Sequence, residues 1–480
     1  MKEIIMNKID KPTNTIKTPI ENYNLATPRH PFVENFILHF SHQEIPDHVM
    51  HQGKRCLLDL IGVLAAGSTT PLGKIISNHA HRHFNTSKEK ELRLLGDGRG
   101  SSALGVALAG GMMIDSIDAH DGMRLTKGHA GCGLLPALIA LLEYLSKEKP
   151  DTNYHDDDLL TNLILGYEIS IRAGIALHQS VSDYHTSGAW VAIGVAALAS
   201  RILGGDADQL SHAMGIAEYH GPRSQMMRTI DYPTMVKDGS GWGAMAGLSA
   251  GFLAQDGFTG APAVTVTAES EHSIWADLGT VWHMVDQYIK PWPVCRWAQP
   301  AVTAAMDVMT THELSADDIS HIEVVSFHEA VRLATRIPDN TETAQYSLPW
   351  PVAAAVCRGQ VNTSEVTEPF DDAAITALAT SMTLNENDRY NDAFPAQRFA
   401  HVILTTKDGQ RFTSETTQAN WDPDTPPSDQ EMIEKFHLLA DPVLGRKKAE
   451  ALVDLVFGLD VKNRNSNNAK VIVDLISTAF

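Results

Sequence analysis

Cysteine is scarce in this chain, and its spacing gives it no collective role. The four cysteines, Cys56, Cys132, Cys295 and Cys357, lie far apart and form no CxxC pair. A framework of the kind that staples small secreted domains is excluded, and the four read as free thiols in a reducing compartment. Basic residues are short too: 38 Lys and Arg against 58 Asp and Glu leave a formal net charge of −20. Nucleic-acid binding normally needs a basic face, so a phosphate-backbone partner is not expected, although a local basic pocket for an anionic metabolite is. Uninterrupted apolar runs of about 18 residues, the length a membrane helix needs, are missing. The opening stretch MKEIIMNKIDKPTNTIKTPIENYN is basic but has no apolar run of signal-peptide length. The expectation is a cytoplasmic protein with no membrane partner.

What is present is ample core material. Across 480 residues, 43% are apolar and 20% charged, enough for two or more domains. Residues 1–29, polar and without periodicity, read as a loose arm. From Pro46 a helical pattern runs through Val49, Cys56, Leu60 and Leu64 and stops at Gly67, taken as a C-terminal glycine. SALGVALAGGMMIDSI, LLPALIALLEYL, LLTNLILGYEISIRAGIAL, AWVAIGVAALASRIL, ADQLSHAMGIAEYH and GWGAMAGLSAGFLAQDG follow as helices. Several are apolar nearly all round and rich in Ala and Gly, the composition of helices that approach closely in a buried bundle. Near Lys290 the texture changes. HIEVVSFHEAVRLAT alternates like a strand, AQYSLPWPVAAAV returns to helix, and AHVILTTKDGQRFTSET reads as two strands around a Lys-Asp-Gly turn, so a smaller α+β unit is expected. After Pro423 three amphipathic helices should rejoin the first unit.

Four clusters carry chemistry. In IDAHDGMRLTKGHAG, Asp118, His120, Asp121, Arg124, Lys127 and His129 fall in one polar loop between apolar helices, a candidate site. A solvated loop with capping aspartates gives the same pattern. Zinc held by Asp118, His120 and His129 is a third reading, with a spacing that fits no familiar metal signature. His185, before a small-residue helix, could stay neutral as a general base or be a hydrogen-bonded core histidine. Lys237, beside glycines that open a buried helix, fits a carboxylate site, or else a snorkelling surface lysine. In YIKPWPVCRWAQP two prolines stiffen the backbone around Lys290, Cys295 and Arg296, as rigid cationic presentation or as a linker would.

Taken in this order, the clusters resemble the MmgE/PrpD family of 2-methylcitrate dehydratases, cis-aconitate decarboxylases and an iminodisuccinate epimerase, from about Phe32 to the C-terminus. Asp118, Asp121 and His129 stand in the family's D-x-D-D and Gly-His motif, with His120 replacing the middle acid. His185 matches a second histidine, Thr234 to Lys237 a Thr-x-x-Lys, and Lys290 with Cys295 a K-x-[YFW]-P-x-[CH] pattern. The decarboxylase branch carries histidine where Cys295 stands and an aromatic hydroxyl at the place aligned with Trp350; many dehydratase-like members have histidine near Gln299. The resemblance implies a mainly α fold: a large all-helical domain from residues 30–287 and 418–480, with an α+β lid inserted at 288–417. It implies a homodimer, no cofactor and no metal, and a lyase acting on a small di- or tricarboxylate by dehydration or decarboxylation. His129 and His185 would be the acid/base pair, Asp118 would orient one of them, and Lys237, Lys290, Cys295 and Arg296 would bind substrate. An epimerase of an amino- or imino-dicarboxylate, a silent metabolite-binding homologue and a metal-dependent hydrolase are the alternatives.

Overall fold

A computed structural model of the chain describes residues 28–150 and 153–480. The expected N-terminal arm therefore lies outside the described residues except at its end, where Arg29 pairs with Glu34 and Asp208. The first described helix is Pro31–His39, whose first turn is capped by the His30 ring.

The fold is mainly α, as the periodicity predicts. The first hydrophobic core joins the helices between Pro31 and Gln255 to Asp429–Leu444, Arg446–Phe457 and Asn468–Ile476 at the far end of the chain. Small residues set its spacing. Gly243, Gly247 and Gly251 lie four apart along one face of the Ser240–Gln255 helix, against Gly188, Ala192 and Ala199 of Gly188–Leu203. A Cβ at Gly247 would meet the Ala192 carbonyl oxygen at 2.3 Å. The Asp156–Ser180 helix is long and apolar enough to cross a membrane, yet the whole of its apolar window is buried inside this bundle. It also buries the Glu168–Arg172 ion pair, 2.8 Å across.

Gly67 does not end its helix by adopting a left-handed conformation. Asp47–Ser68 runs past it, and a Cβ there would lie 2.0 Å from the Met113 carbonyl oxygen. Its role is to let the Ala103–Asp115 helix approach, a tertiary demand that reads in sequence like a terminal glycine.

The second core gathers residues 294–404 with Met226 and Ile230. Its four-stranded sheet has Ile319–Ser326 at the centre, parallel to Thr383–Glu386 on one side and antiparallel to Ala400–Thr406 on the other, with Arg411–Thr413 at the edge. Alternation reveals the central strand and the hairpin around Gly409; the exposed Thr383–Glu386 strand alternates too weakly to be read. The two segments that connect the cores touch each other: the Ile289 amide donates to the Trp421 carbonyl at 3.1 Å. Gly122–Met123, in the first polar loop, pairs antiparallel with Gln287–Tyr288 at the crossing.

Candidate active site

That pairing brings the first and fourth clusters together. A small cavity of about 30 Å³ lies where they meet, lined by Asp118, Lys127 and His129 from the loop and by Tyr288, Lys290, Cys295, Arg296, Tyr346 and Arg398 from the chain beyond. Such a volume holds little more than water.

Lys290 donates to the Asp118 carboxylate, and both are buried. Burial opposes both charges, but the lysine, helped by Lys237, His120 and His129, holds Asp118 far below the ordinary carboxylate range. Asp118 in turn raises Lys290 against its own desolvation. Gln345 ties Lys237 to the same point: its Oε1 accepts from Lys237 Nζ at 2.7 Å and from the Asp118 amide at 2.9 Å. Its Nε2 is fixed by Ser116 O at 3.0 Å and Thr341 Oγ1 at 2.8 Å.

His129 is held by its backbone and its ring. Its amide donates to Ser187 Oγ at 2.9 Å, and Nδ1 lies against the Asp121 carbonyl oxygen. A carbonyl only accepts, so Nδ1 carries the proton and Nε2 keeps its lone pair. Burial, then the charges of Lys290 and His120, push the imidazole well below its usual value, so it is neutral at pH 7. Nε2 stands 4.0 Å from Asp238, whose Oδ2 accepts from Ser187 Oγ at 2.7 Å. Burial and the neighbouring Asp115 raise Asp238 to about 7. Beneath the loop, Asp121 accepts from the Tyr167 hydroxyl, and Lys435 joins Asp59 to the Ala119 carbonyl.

A family description, the MmgE/PrpD N-terminal domain, matches residues 33–271, and the MmgE/PrpD C-terminal domain matches residues 292–459. The chain belongs to the MmgE/PrpD family. It is similar to the cis-aconitate decarboxylases of Mus musculus and Homo sapiens, each 23% identical, over 87% of this chain and 87% and 88% of theirs. A cis-aconitate decarboxylase-like protein of Aspergillus oryzae is 26% identical over 47% of this chain, which spans only 46% of that relative's length.

Not every residue matched to the MmgE/PrpD motifs reaches the cavity. Asp118, His129, Lys290, Cys295 and Arg296 line it. His185 does not. It bridges Gln225, its amide donates to His178 Nε2 at 3.2 Å, and its side chain is not among those that line the cavity. Lys237 also stands outside the lining, behind Gln345 and over the Tyr346 ring at 4.8 Å. Two backbone donors around the start of the Ser240–Gln255 helix are taken: the Asp238 and Ser240 amides donate to Asp115 Oδ2 at 3.2 and 3.4 Å. Arg296 has its charge met by Asp422 at 2.8 Å and also donates to Gln299 Oε1 at 2.7 Å. Cys295 is pushed by burial to about 12 and stays a thiol. Trp350 is a core residue whose indole donates to Glu365 O at 2.7 Å; the aromatic hydroxyl of that segment at the cavity is Tyr346.

The zinc reading gains a geometric basis and meets an electrostatic obstacle. Potential ligand atoms of Asp118, His120 and His129 lie within 4.8 Å of one another. The Lys290 ammonium already sits on Asp118, and a dication would have to displace it. Sequence reasoning missed Tyr288 and Asp238, which stand inside the Lys290 and Lys237 clusters, and Gln345 and Arg398, which stand in segments with no polar cluster to mark them.

Proposed function

We propose that the chain is a cofactor-independent lyase that removes water or carbon dioxide from a small di- or tricarboxylic acid bound between the two cores. One observation carries this reading: a neutral imidazole, with its proton fixed on Nδ1 and its Nε2 lone pair free, beside a buried lysine at a cavity. In dehydration, Nε2 of His129 takes the proton from the carbon next to a carboxylate. The C–O bond then breaks with its electrons on oxygen, which leaves as water once protonated. In decarboxylation the C–C bond breaks, carbon dioxide leaves, the electron pair stays on the carbon skeleton, and a proton from solvent water, relayed through Nε2 of His129, is added to it. Both routes build negative charge on a carboxylate, which Lys290 meets, with Lys237 behind it. Asp118 keeps Lys290 charged and aimed.

The names of the relatives support the decarboxylation branch at family level, and the excess of cationic groups around the cavity supports an anionic substrate. The reading includes a cytoplasmic homodimer through the helical core, supported by exposed Ile75, Val236 and Trp242 on that face. The test is incubation with 2-methylcitrate, citrate, cis-aconitate and iminodisuccinate, followed by NMR in deuterated water. Loss of water from citrate or 2-methylcitrate, or loss of carbon dioxide from cis-aconitate with one solvent deuterium in the product, is expected. Exchange on iminodisuccinate without loss of water or carbon dioxide would make the protein an epimerase, and no turnover of any would make it a binding homologue.

A further inference from the structure

Arg398 has no function in the chemistry above. It precedes the Ala400–Thr406 strand, is only 6% exposed, and lines the cavity beside the Tyr288 ring, 5.9 Å from its centroid. Its Nε and Nη1 are buried with no hydrogen-bond partner. A guanidinium has five N–H donors and no acceptor, and the three on Nε and Nη1 are buried unpaired at the cost of their desolvation.

The other cations of the site are accounted for. Lys290 has Asp118, Arg296 has Asp422, and Lys237 has Gln345. Among the described residues no hydrogen bond or ion pair joins Arg398 or Lys127 to an acid. Lys127 lies over the Tyr184 ring at 5.1 Å. The lining therefore holds one carboxylate, Asp118, against four cations, of which only Lys290 and Arg296 are paired.

We infer that Arg398, with Lys127 beside it, is the subsite for a carboxylate of the substrate that does not react, separate from the one at Lys290. The inference rests on the proposed lyase reading and narrows it: the planar fork of Arg398 grips a group that does not react, so binding energy there orients the carbon that does. A monoacid would leave the guanidinium unpaired, which makes the subsite a specificity device as well as an anchor.

The test is calorimetric titration of the full-length protein with tricarballylate and with its monoamide, which keeps the shape and removes one charge. Wild-type protein should bind the triacid about tenfold or more tightly than the monoamide, the scale of one charge-assisted hydrogen bond. Arg398→Gln should lose most of that preference. Arg398→Lys, which keeps the charge but not the fork, should retain part of it and serves alone should the Gln variant fail to fold. An undiminished preference in both variants would overturn the subsite while leaving the lyase reading intact. Wild-type protein that binds neither probe would overturn both.

Discussion

His129 and His185 are alike in sequence and unlike in the structure, which separates their expected phenotypes. His129→Ala should lower turnover by about 100-fold or more, the scale of a lost general acid or base, with little change in melting temperature. His185→Ala should keep a near-native rate; a loss equal to that of His129→Ala, in a folded variant, would return His185 to the active site. The neutral state of His129 also predicts a pH profile. Its proton affinity in the folded protein lies well below the ordinary 6.5. kcat/KM should therefore hold level through pH 6.5 and fall only at lower pH, as Nε2 takes a proton. Asp238 works with the opposite sign. Its folded value is raised from 3.8 to about 7, so over that window the folded state keeps a proton that the unfolded chain has released. Stability is lost as pH rises through the window, and Asp238→Asn should lose less than wild type between pH 5 and pH 8 in urea melts. Equal losses in the two proteins would mean that Asp238 stays ionised.

Helix ends and helix contacts explain where element-level reading succeeds and where it slips. Capping signals are local: Ser428 and Glu431 cap each other at the start of Asp429–Leu444, and the amphipathic pattern that follows is visible in the sequence. The partners of that helix are not visible. Lys435 reaches Asp59 and the Ala119 carbonyl, so the Asp429–Leu444 helix holds the loop that carries Asp118 and His129. Lys435→Met would leave Asp59 buried without a counter-charge, a loss of about 3–5 kcal/mol in chemical denaturation. Adding Asp59→Asn to that variant should recover a large part of it. Gly67→Ala should cost about 1–3 kcal/mol by overpacking, because its new methyl meets the Met113 carbonyl. A neutral result there would show that the Asp47–Ser68 and Ala103–Asp115 helices can part without penalty.

For the whole molecule the question is how a carboxylic acid reaches a cavity of about 30 Å³. His129, the proposed acid/base group, stands on the helical core, and Lys290 and Arg398 on the chain that leads into and through the second core. The proposed answer is that the two cores part and reclose, hinged where Ile289 meets Trp421. Amide exchange should slow on tricarballylate binding at residues 287–291 and 419–424, and stay unchanged in the Gly188–Leu203 helix. Identical exchange with and without the ligand would refute the movement. Dialysis against a chelator should leave turnover intact. Activity lost there and restored by a divalent ion would revive the site of Asp118, His120 and His129.

Periodicity, capping residues and turn chemistry act over a few positions, so the sequence by itself determined the helices, the central strand, the hairpin and the polar loop between buried helices. Motif order pointed to the family for the same reason, since each motif is a short run. Only the tertiary structure decided which of those groups meet. Asp118 and Lys290 are 172 positions apart, and the amide of Asp118 and Gln345 are 227 apart. Nothing local marks Gln345, Asp238 or Arg398 as partners of that loop. The place of His185 was decided in the same way: its neighbour Tyr184 lines the cavity and His185 does not, a distinction that packing makes and no local pattern carries.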